Sequence, residues 1–290
     1  MMNPTEPVTA VQPRRSFIFC PGTDPAMYPK ALASGADIVC VELEDGVGPQ
    51  HKDAARANML AIFAEPQAAD GIERIVRVNG LRTPDGLADM AAIVGAEHRP
   101  PALMLPKVKG PEEVALVAEI FDELGVAMRL QVIIETNAGL EAAHEIARAS
   151  DRVDSLLFGG VDLAADLRCA CGWEPLLYAR SRVVHAAAAA GIDAIDVPWL
   201  DLADMDGMRE EARRAADLGY TGKGAIHPRQ IAALNEVFTP TTAQIEHARR
   251  IVAAFAATDS GLVVVDGKLI EKPVLRTMHR ILAVADRATG

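Results

Sequence analysis

An α/β fold, a closed (β/α)₈ TIM barrel with a small C-terminal helix-hairpin-helix appendage, is what this sequence predicts, and three observations carry it. Eight short β-branched apolar runs recur between Ser16 and Pro228. Segments of helical period lie between them, the signature of repeated βα units. Most of the runs are continuously apolar rather than alternating, as expected of parallel strands covered on both faces. With 290 residues, 50% of them apolar, the chain suits a barrel of about 250 residues plus an addition. A doubly wound open sheet is the rival arrangement, but it commonly has five or six strands and would bring a dinucleotide fingerprint that is lacking here.

The first residues, MMNPTEPVTAVQPRR, put prolines where a secretory signal would place an apolar segment, so 1–14 reads as a flexible arm. The strands then follow in order: SFIFCPG from Ser16, DIVCVELED from Asp37, RIVRVNG from Arg74, ALMLPKV from Ala102, LQVIIETN from Leu130, SLLFGGVDL from Ser155, AIDVPWL from Ala194 and GKGAIHP from Gly222. Between the fourth and fifth, EEVALVAEIFDELG places Val114, Val117, Ile120, Phe121 and Leu124 at three- and four-residue intervals and stops at Gly125. PLLYARSRVVHAAAAAG after the sixth strand and DMDGMREEARRAADLG after the seventh read the same way. Ile231 to Phe238 is the eighth helix and closes a catalytic domain over 15–239. In the appendage, 240–290, TPTT at Thr239 caps a helix from Ala243 to Ala257, Asp266 and Gly267 form a hairpin turn, and a last helix runs from Val274 to about Arg287. On this reading the appendage is too small to hold a core alone and packs on the barrel or on a neighbouring subunit.

A net charge of -11 argues against a nucleic-acid partner, which needs clustered Lys and Arg. No apolar run approaches the roughly 18 residues that span a bilayer, so no membrane partner is expected. Cys20, Cys40, Cys169 and Cys171 show neither metal-ligand spacing nor a secreted disulfide framework. They read as free thiols of a cytoplasmic protein.

Barrel enzymes carry their chemistry at the carboxyl ends of the strands. Here those ends are charged: Glu44 and Asp45 close the second strand, Arg77 and Asn79 the third, Lys107 the fourth, Glu135 and Asn137 the fifth, Asp162 the sixth and His227 the eighth. Four converging carboxylates repel one another unless cations hold them. Oxygen-only ligation by Glu135 and Asp162, on consecutive strands, suits Mg²⁺ or Mn²⁺ better than zinc. The plainer alternative is a set of salt bridges with Arg77 and Lys107 that merely closes the barrel top. Gly159, Gly160 and Val161 form a turn whose amides can cradle a substrate carboxylate, or one that needs glycine only for its torsions. Arg77 presents a fork for a carboxylate or enolate oxygen. Lys107 raises the alternative of a metal-free Schiff-base aldolase. His227 reads as a hydrogen-bonding residue of the barrel top rather than a base.

Taken in order, FCPGTDP, VELEDGV, RVNG, MLPKV, ETNAGL, FGGVDLAADL, IDVPWLD, KGAIHPRQI and DGKLIEKPVL resemble the citrate lyase beta-chain and malyl-CoA lyase family of the HpcH/HpaI aldolase superfamily. The resemblance runs from about Ser16 to about Leu282. It implies Mg²⁺ on Glu135 and Asp162, Arg77 near the reacting oxygens, and Glu44 and Asp45 as outer partners of the metal's waters. It further implies a trimer or dimer of trimers in which the appendage covers a neighbour's active site. The family's acid or base is an aspartate in a segment like MIDKP; the matching residue in LIEKP is Glu271, one methylene longer. Val161 stands where many members carry a further acid. The activity implied is metal-dependent cleavage or condensation of a malyl-CoA or citramalyl-CoA type 3-hydroxyacyl-CoA, with an acyl-CoA and a 2-keto acid as partners. A citrate lyase beta subunit, a malyl-CoA thioesterase and a non-catalytic CoA-binding protein are the alternatives. Arg14, Arg15, Lys30 and Arg82 are conceivable contacts for the coenzyme's phosphates, with none singled out.

Overall fold

The structure is a computed structural model, and it describes residues 13–258 and 260–288. Arg14–Asn235 form one compact unit, and the rest of the described chain forms a second.

The first unit is a closed barrel of eight parallel strands in sequential order. In chain order it contains β1 (Ser16–Pro21), α1 (Met27–Leu32), β2 (Ile38–Glu42), α2 (Lys52–Ala64), β3 (Glu73–Arg77), α3 (Pro84–Gly95), β4 (Ala102–Leu105) and α4 (Pro111–Glu123). It continues with β5 (Arg129–Ile134), the short pair α5 (Asn137–Glu141) and α6 (Ala143–Ala147), β6 (Val153–Phe158), α7 (Gly160–Leu167), α8 (Trp173–Ala190), β7 (Asp193–Asp196), α9 (Met205–Leu218), β8 (Gly222–Ala225) and the first residues of α10 (Ile231–Phe238), whose last turn is counted with the second unit. Closure comes from β1 pairing with β8, in the register Ser16↔Lys223 to Ile18↔Ala225.

Alternate positions along the strands share a face, and one such set forms a single apolar cluster: Phe17, Ile38, Cys40, Ile75, Met104, Ile133, Leu157 and Ile195 among them. The helices start where local chemistry dictates. Thr83 precedes Pro84 and accepts a hydrogen bond from the Gly86 amide, so α3 opens with both a side-chain cap and a proline in its first turn. Pro111 opens α4, whose buried Val114, Val117, Ala118 and Phe121 follow the three-to-four spacing. Gly125, with φ +63°, supplies the left-handed residue just beyond its end.

The strands end sooner than the sequence suggests. β2 stops at Glu42, β3 at Arg77 and β4 at Leu105, so most of the polar residues assigned to strand ends stand one to four positions out, in the loops. The largest departure is SLLFGGVDL, where β6 ends at Phe158 and α7 begins at Gly160.

At the amino ends of the strands Arg14 is held by Glu73 at 2.7 Å and Asp193 at 2.9 Å. Glu73 also accepts from Gln131 at 2.8 Å, and Arg15 pairs with Asp37 at 2.8 Å. Both arginines are therefore spent on carboxylates at the mouth opposite the predicted site, which removes them as phosphate contacts.

In the second unit α11 (Thr242–Ala256), the hairpin β9 (Leu262–Val265) and β10 (Lys268–Glu271), and α12 (Val274–Ala288) follow in order. Thr241 rather than Thr239 is the cap, and its reciprocal partner is Gln244. Contrary to expectation this unit has a core of its own. Ile251 and Phe255 from α11, Val263, Val265 and Ile270 from one face of the hairpin, and Leu275 and Met278 from α12 are buried together. No helix among the described residues is long and apolar enough to cross a membrane.

Candidate active site

The acidic segment after β2 is fixed by its neighbours. Glu42, the last residue of β2, is in register with Arg77, the last of β3, and accepts the Arg77 Nε–H at 2.5 Å. The other face of that guanidinium lies 4.5 Å from the Phe19 ring centroid. Its Nη1 is 3.3 Å from Glu44 Oε2. Burial works against the charge on Arg77, but Glu42 and Glu44 outweigh it and raise its pKa. The guanidinium is thus cationic and oriented on two sides. Glu42 was not among the residues singled out from sequence, although its alternation with Glu44 puts both on one face of an extended chain.

The loop beyond β2 is tied down from below. Lys52 Nζ donates to the carbonyls of Leu43 and Glu44 at 2.7 Å each and to Asn79 Oδ1 at 2.6 Å. Asn79 donates to Leu43 O at 2.9 Å and to the buried Asp89 at 2.7 Å. Asn79 is a brace rather than a free rim group. Lys52, at the start of α2, carries no signal in the sequence beyond its distance from the strand.

Lys107 follows β4 with φ +54°. Its Nζ contacts Glu44 Oε1, reaches Asp45 at 2.8 Å and lies 3.8 Å from Asp162 Oδ1. Its backbone N–H donates to Glu135 Oε1 at 2.8 Å. Burial opposes the ammonium charge, yet the hydrogen bonds it donates to Asp45 and Glu44 prevail and raise the pKa. A protonated, hydrogen-bonded amine is a poor nucleophile, so the Schiff-base alternative loses its residue. Asp45 moves the other way: burial pushes it up, but Lys107 and Arg77 bring it below the usual carboxylate range.

Glu135 directly follows β5 and is 3% exposed, which for an unpaired carboxylate is costly. Burial first, then the charges of Glu44 and Asp162, push its pKa up to about 8. Its neighbour across the sheet is Gly159, whose amide donates to Ile134 O at 3.1 Å. A Cβ on Gly159 would stand 2.4 Å from the Glu135 Cβ and 2.6 Å from its Oε2. Glycine is required there for the carboxylate to occupy its place. Gly160 opens α7, and Val161 and Asp162 complete its first turn. Asp162 therefore sits on a helix and not on a strand end, because the paired glycines end the strand and VDLAADL continues with helical period.

His227 Nδ1 accepts the Arg229 N–H at 3.1 Å and caps the 3₁₀ turn Pro228–Gln230, a structural role. Asn137 is the first residue of α5, its amide bound to Asp166 at 2.6 Å. Arg82 is engaged with Glu112 and Glu113 at 2.9 and 3.0 Å. Glu271 ends β10 in the second unit, exposed and opposite Leu262. Asp266 is in the hairpin turn with φ +52° and pairs with Arg250 at 2.9 Å.

The rim fits a hard divalent cation on three counts. Its donors are all oxygens; Glu135 has its charge suppressed by burial and by nearby acids; and Glu44 Oε2 is buried with no hydrogen bond. Among the described residues no three His, Cys, Asp or Glu side chains converge as ligands of one ion. A pair of carboxylates completed by water or substrate is the corresponding arrangement, and it is the one magnesium favours.

Comparison with known proteins shows which family the chain resembles. The family model for HpcH/HpaI aldolase/citrate lyase matches residues 15–228. L-malyl-CoA/beta-methylmalyl-CoA lyase of Cereibacter sphaeroides is 34% identical over 97% of this chain and 97% of its own. Mitochondrial citramalyl-CoA lyase of Rattus norvegicus is 33% identical over 94% of this chain and 86% of its own. The crystal structure of protein CitE from Mycobacterium tuberculosis in complex with magnesium, acetoacetate and coenzyme A is 30% identical, with a TM-score of 0.77 over 93% of this chain and 97% of that one.

Proposed function

The chain belongs to the HpcH/HpaI aldolase/citrate lyase family, and from that premise we propose that it is a Mg²⁺-dependent carbon-carbon lyase of malyl-CoA or citramalyl-CoA type thioesters. It yields an acyl-CoA and a 2-keto acid, or condenses them. The observation that carries this reading is the meeting at one rim of an oriented guanidinium, Arg77, with the acids Glu44, Asp45, Glu135 and Asp162 gathered around Lys107.

Glu135 and Asp162 would hold the ion, with Glu44 and Asp45 accepting hydrogen bonds from its waters. Bound there, Mg²⁺ or Mn²⁺ supplies Lewis-acid polarisation of the carboxylate and hydroxyl oxygens at the 2-hydroxyacid end of the substrate. The amides of Gly160 and Val161, at the start of α7, receive that carboxylate, favoured by the positive end of the helix; the Gly159 amide expected beside them is spent on Ile134 O. Loss of the hydroxyl proton to a carboxylate base turns the oxygen into the new carbonyl as the carbon-carbon bond breaks. The bonding pair passes into the thioester as an enolate, which Arg77 stabilises until a proton is returned to carbon. Glu271 fits the part of acid or base, delivered from the appendage of a neighbouring subunit in a trimer or dimer of trimers. Free thiols at Cys20, Cys40, Cys169 and Cys171 suit a reducing, cytoplasmic setting.

Purified protein with Mg²⁺ should cleave at least one such thioester to a 2-keto acid, with turnover lost on chelation. Glu135→Ala and Asp162→Ala should each lower kcat/KM by more than 100-fold. Full activity of either variant, or of the wild type under EDTA, sinks the scheme.

A further inference from the structure

We infer that Lys107 is the internal counter-cation of the acidic rim, an ammonium that a divalent ion must displace in order to load. The inference rests on the metal reading above and goes beyond it by assigning a role to a residue with no place in the reaction just described.

Lys107 touches every acid of the cluster. Its Nζ contacts Glu44 Oε1 and both oxygens of Asp45, at 2.9 and 2.8 Å, and lies 3.8 Å from Asp162. Its own backbone N–H serves Glu135 at 2.8 Å. For one residue to do both, the chain adopts a left-handed φ of +54° at Lys107, a conformation disfavoured for anything but glycine, asparagine or aspartate. Strain at such a position is kept only where the surroundings hold it there.

An ordinary surface ion pair does not account for this arrangement. Exposed pairs are worth little and do not gather three acids on one flexible chain. Glu135 and Glu44 are also buried, and Arg77 pairs with Glu44 alone of the four, so without a second positive charge among them the acids would repel one another in a poorly solvated place. Lys107 supplies that charge in the metal-free state. A divalent ion held by Glu135 and Asp162, with its waters on Glu44 and Asp45, calls on the same four acids, and the ammonium, 3.8 Å from Asp162, cannot stay beside it without repulsion. Loading is therefore an exchange of ammonium for metal, and the affinity of the wild type is lowered by the work of moving Lys107 aside.

The test is Mn²⁺ binding to the full chain, followed by electron paramagnetic resonance titration, for wild type, Lys107→Asn and Lys107→Arg. Asparagine tolerates the left-handed backbone and keeps the amide to Glu135, so it removes only the charge. Lys107→Asn should bind Mn²⁺ at least tenfold more tightly, whereas Lys107→Arg should stay within threefold of wild type. By linkage, metal-free Lys107→Asn should melt below wild type, and the gap should close at saturating Mn²⁺. Unchanged or weaker binding by Lys107→Asn, or equal tightening by Lys107→Arg, overturns the exchange. Wild-type binding that survives Glu135→Ala instead overturns the metal assignment beneath it.

Discussion

Glu135 is held where its charge is unwelcome, and the sign of the consequence follows from its pKa near 8 against an ordinary 4.5. A carboxyl whose pKa is raised by folding binds its proton more tightly in the folded state. Its unfavourable contribution is absent below about pH 4.5, grows as pH rises, and is fully present above about 8. In EDTA, wild type should therefore lose stability relative to Glu135→Gln between pH 5 and 8, by up to roughly 4 kcal/mol. Parallel melting curves for the two proteins across that range would contradict it. Saturating Mg²⁺ should reverse the order, since only the carboxylate profits from the ion. At this scale the sequence was informative about which residues gather and less so about who holds them. Glu44, Asp45, Arg77, Glu135 and Asp162 gather at one rim, as positions at the strand ends suggest, although most of them stand just beyond the strands. Glu42 carries no such signal, because an acid inside an apolar run shows its purpose only with Arg77 set against it. Lys52 and the brace through Asn79 depend on a helix folding back beneath the loop, which no local pattern announces.

At the scale of elements, the turn from β6 into α7 matters most. FGGVDL reads as a strand because Phe158, Val161 and Leu163 are apolar and closely spaced, yet two consecutive glycines end the pairing and the next residues coil. That turn brings Gly159 against Glu135 and lifts Asp162 onto a helix. Gly159→Ala should displace the Glu135 carboxylate, because its Cβ would stand 2.4 Å from that of Glu135. We expect a loss of at least about 2 kcal/mol in metal affinity, near thirtyfold, with the circular dichroism spectrum unchanged. Metal binding by Gly159→Ala equal to wild type would show that the contact relaxes at no cost. The order of elements was legible because eight repeated units leave a periodic trace. The ends were not, since polar residues in tight loops continue the apolar runs without a visible seam.

The whole molecule divides its charge between two mouths with different duties. At the amino ends Arg14 neutralises Glu73 and Asp193 in a setting that is almost closed to water, a purely architectural role. Arg14→Ala should cost about 3 kcal/mol or more, the usual penalty for leaving buried carboxylates without a partner, measured by urea unfolding. A loss below about 0.5 kcal/mol would mean the acids find another cation. The appendage departs from a general expectation: about fifty residues are few for a core, but a hairpin offering Val263, Val265 and Ile270 to two amphipathic helices builds one. Closure of the cylinder depends on β1 meeting β8, with Ser16 opposite Lys223, partners roughly 200 residues apart along the chain. During synthesis on the ribosome the first strand waits, one edge bare, until nearly the whole barrel has emerged. That interval is when aggregation competes most with folding, so the yield of active protein should hang on translation speed and chaperone supply more than on the strength of any contact in the finished barrel.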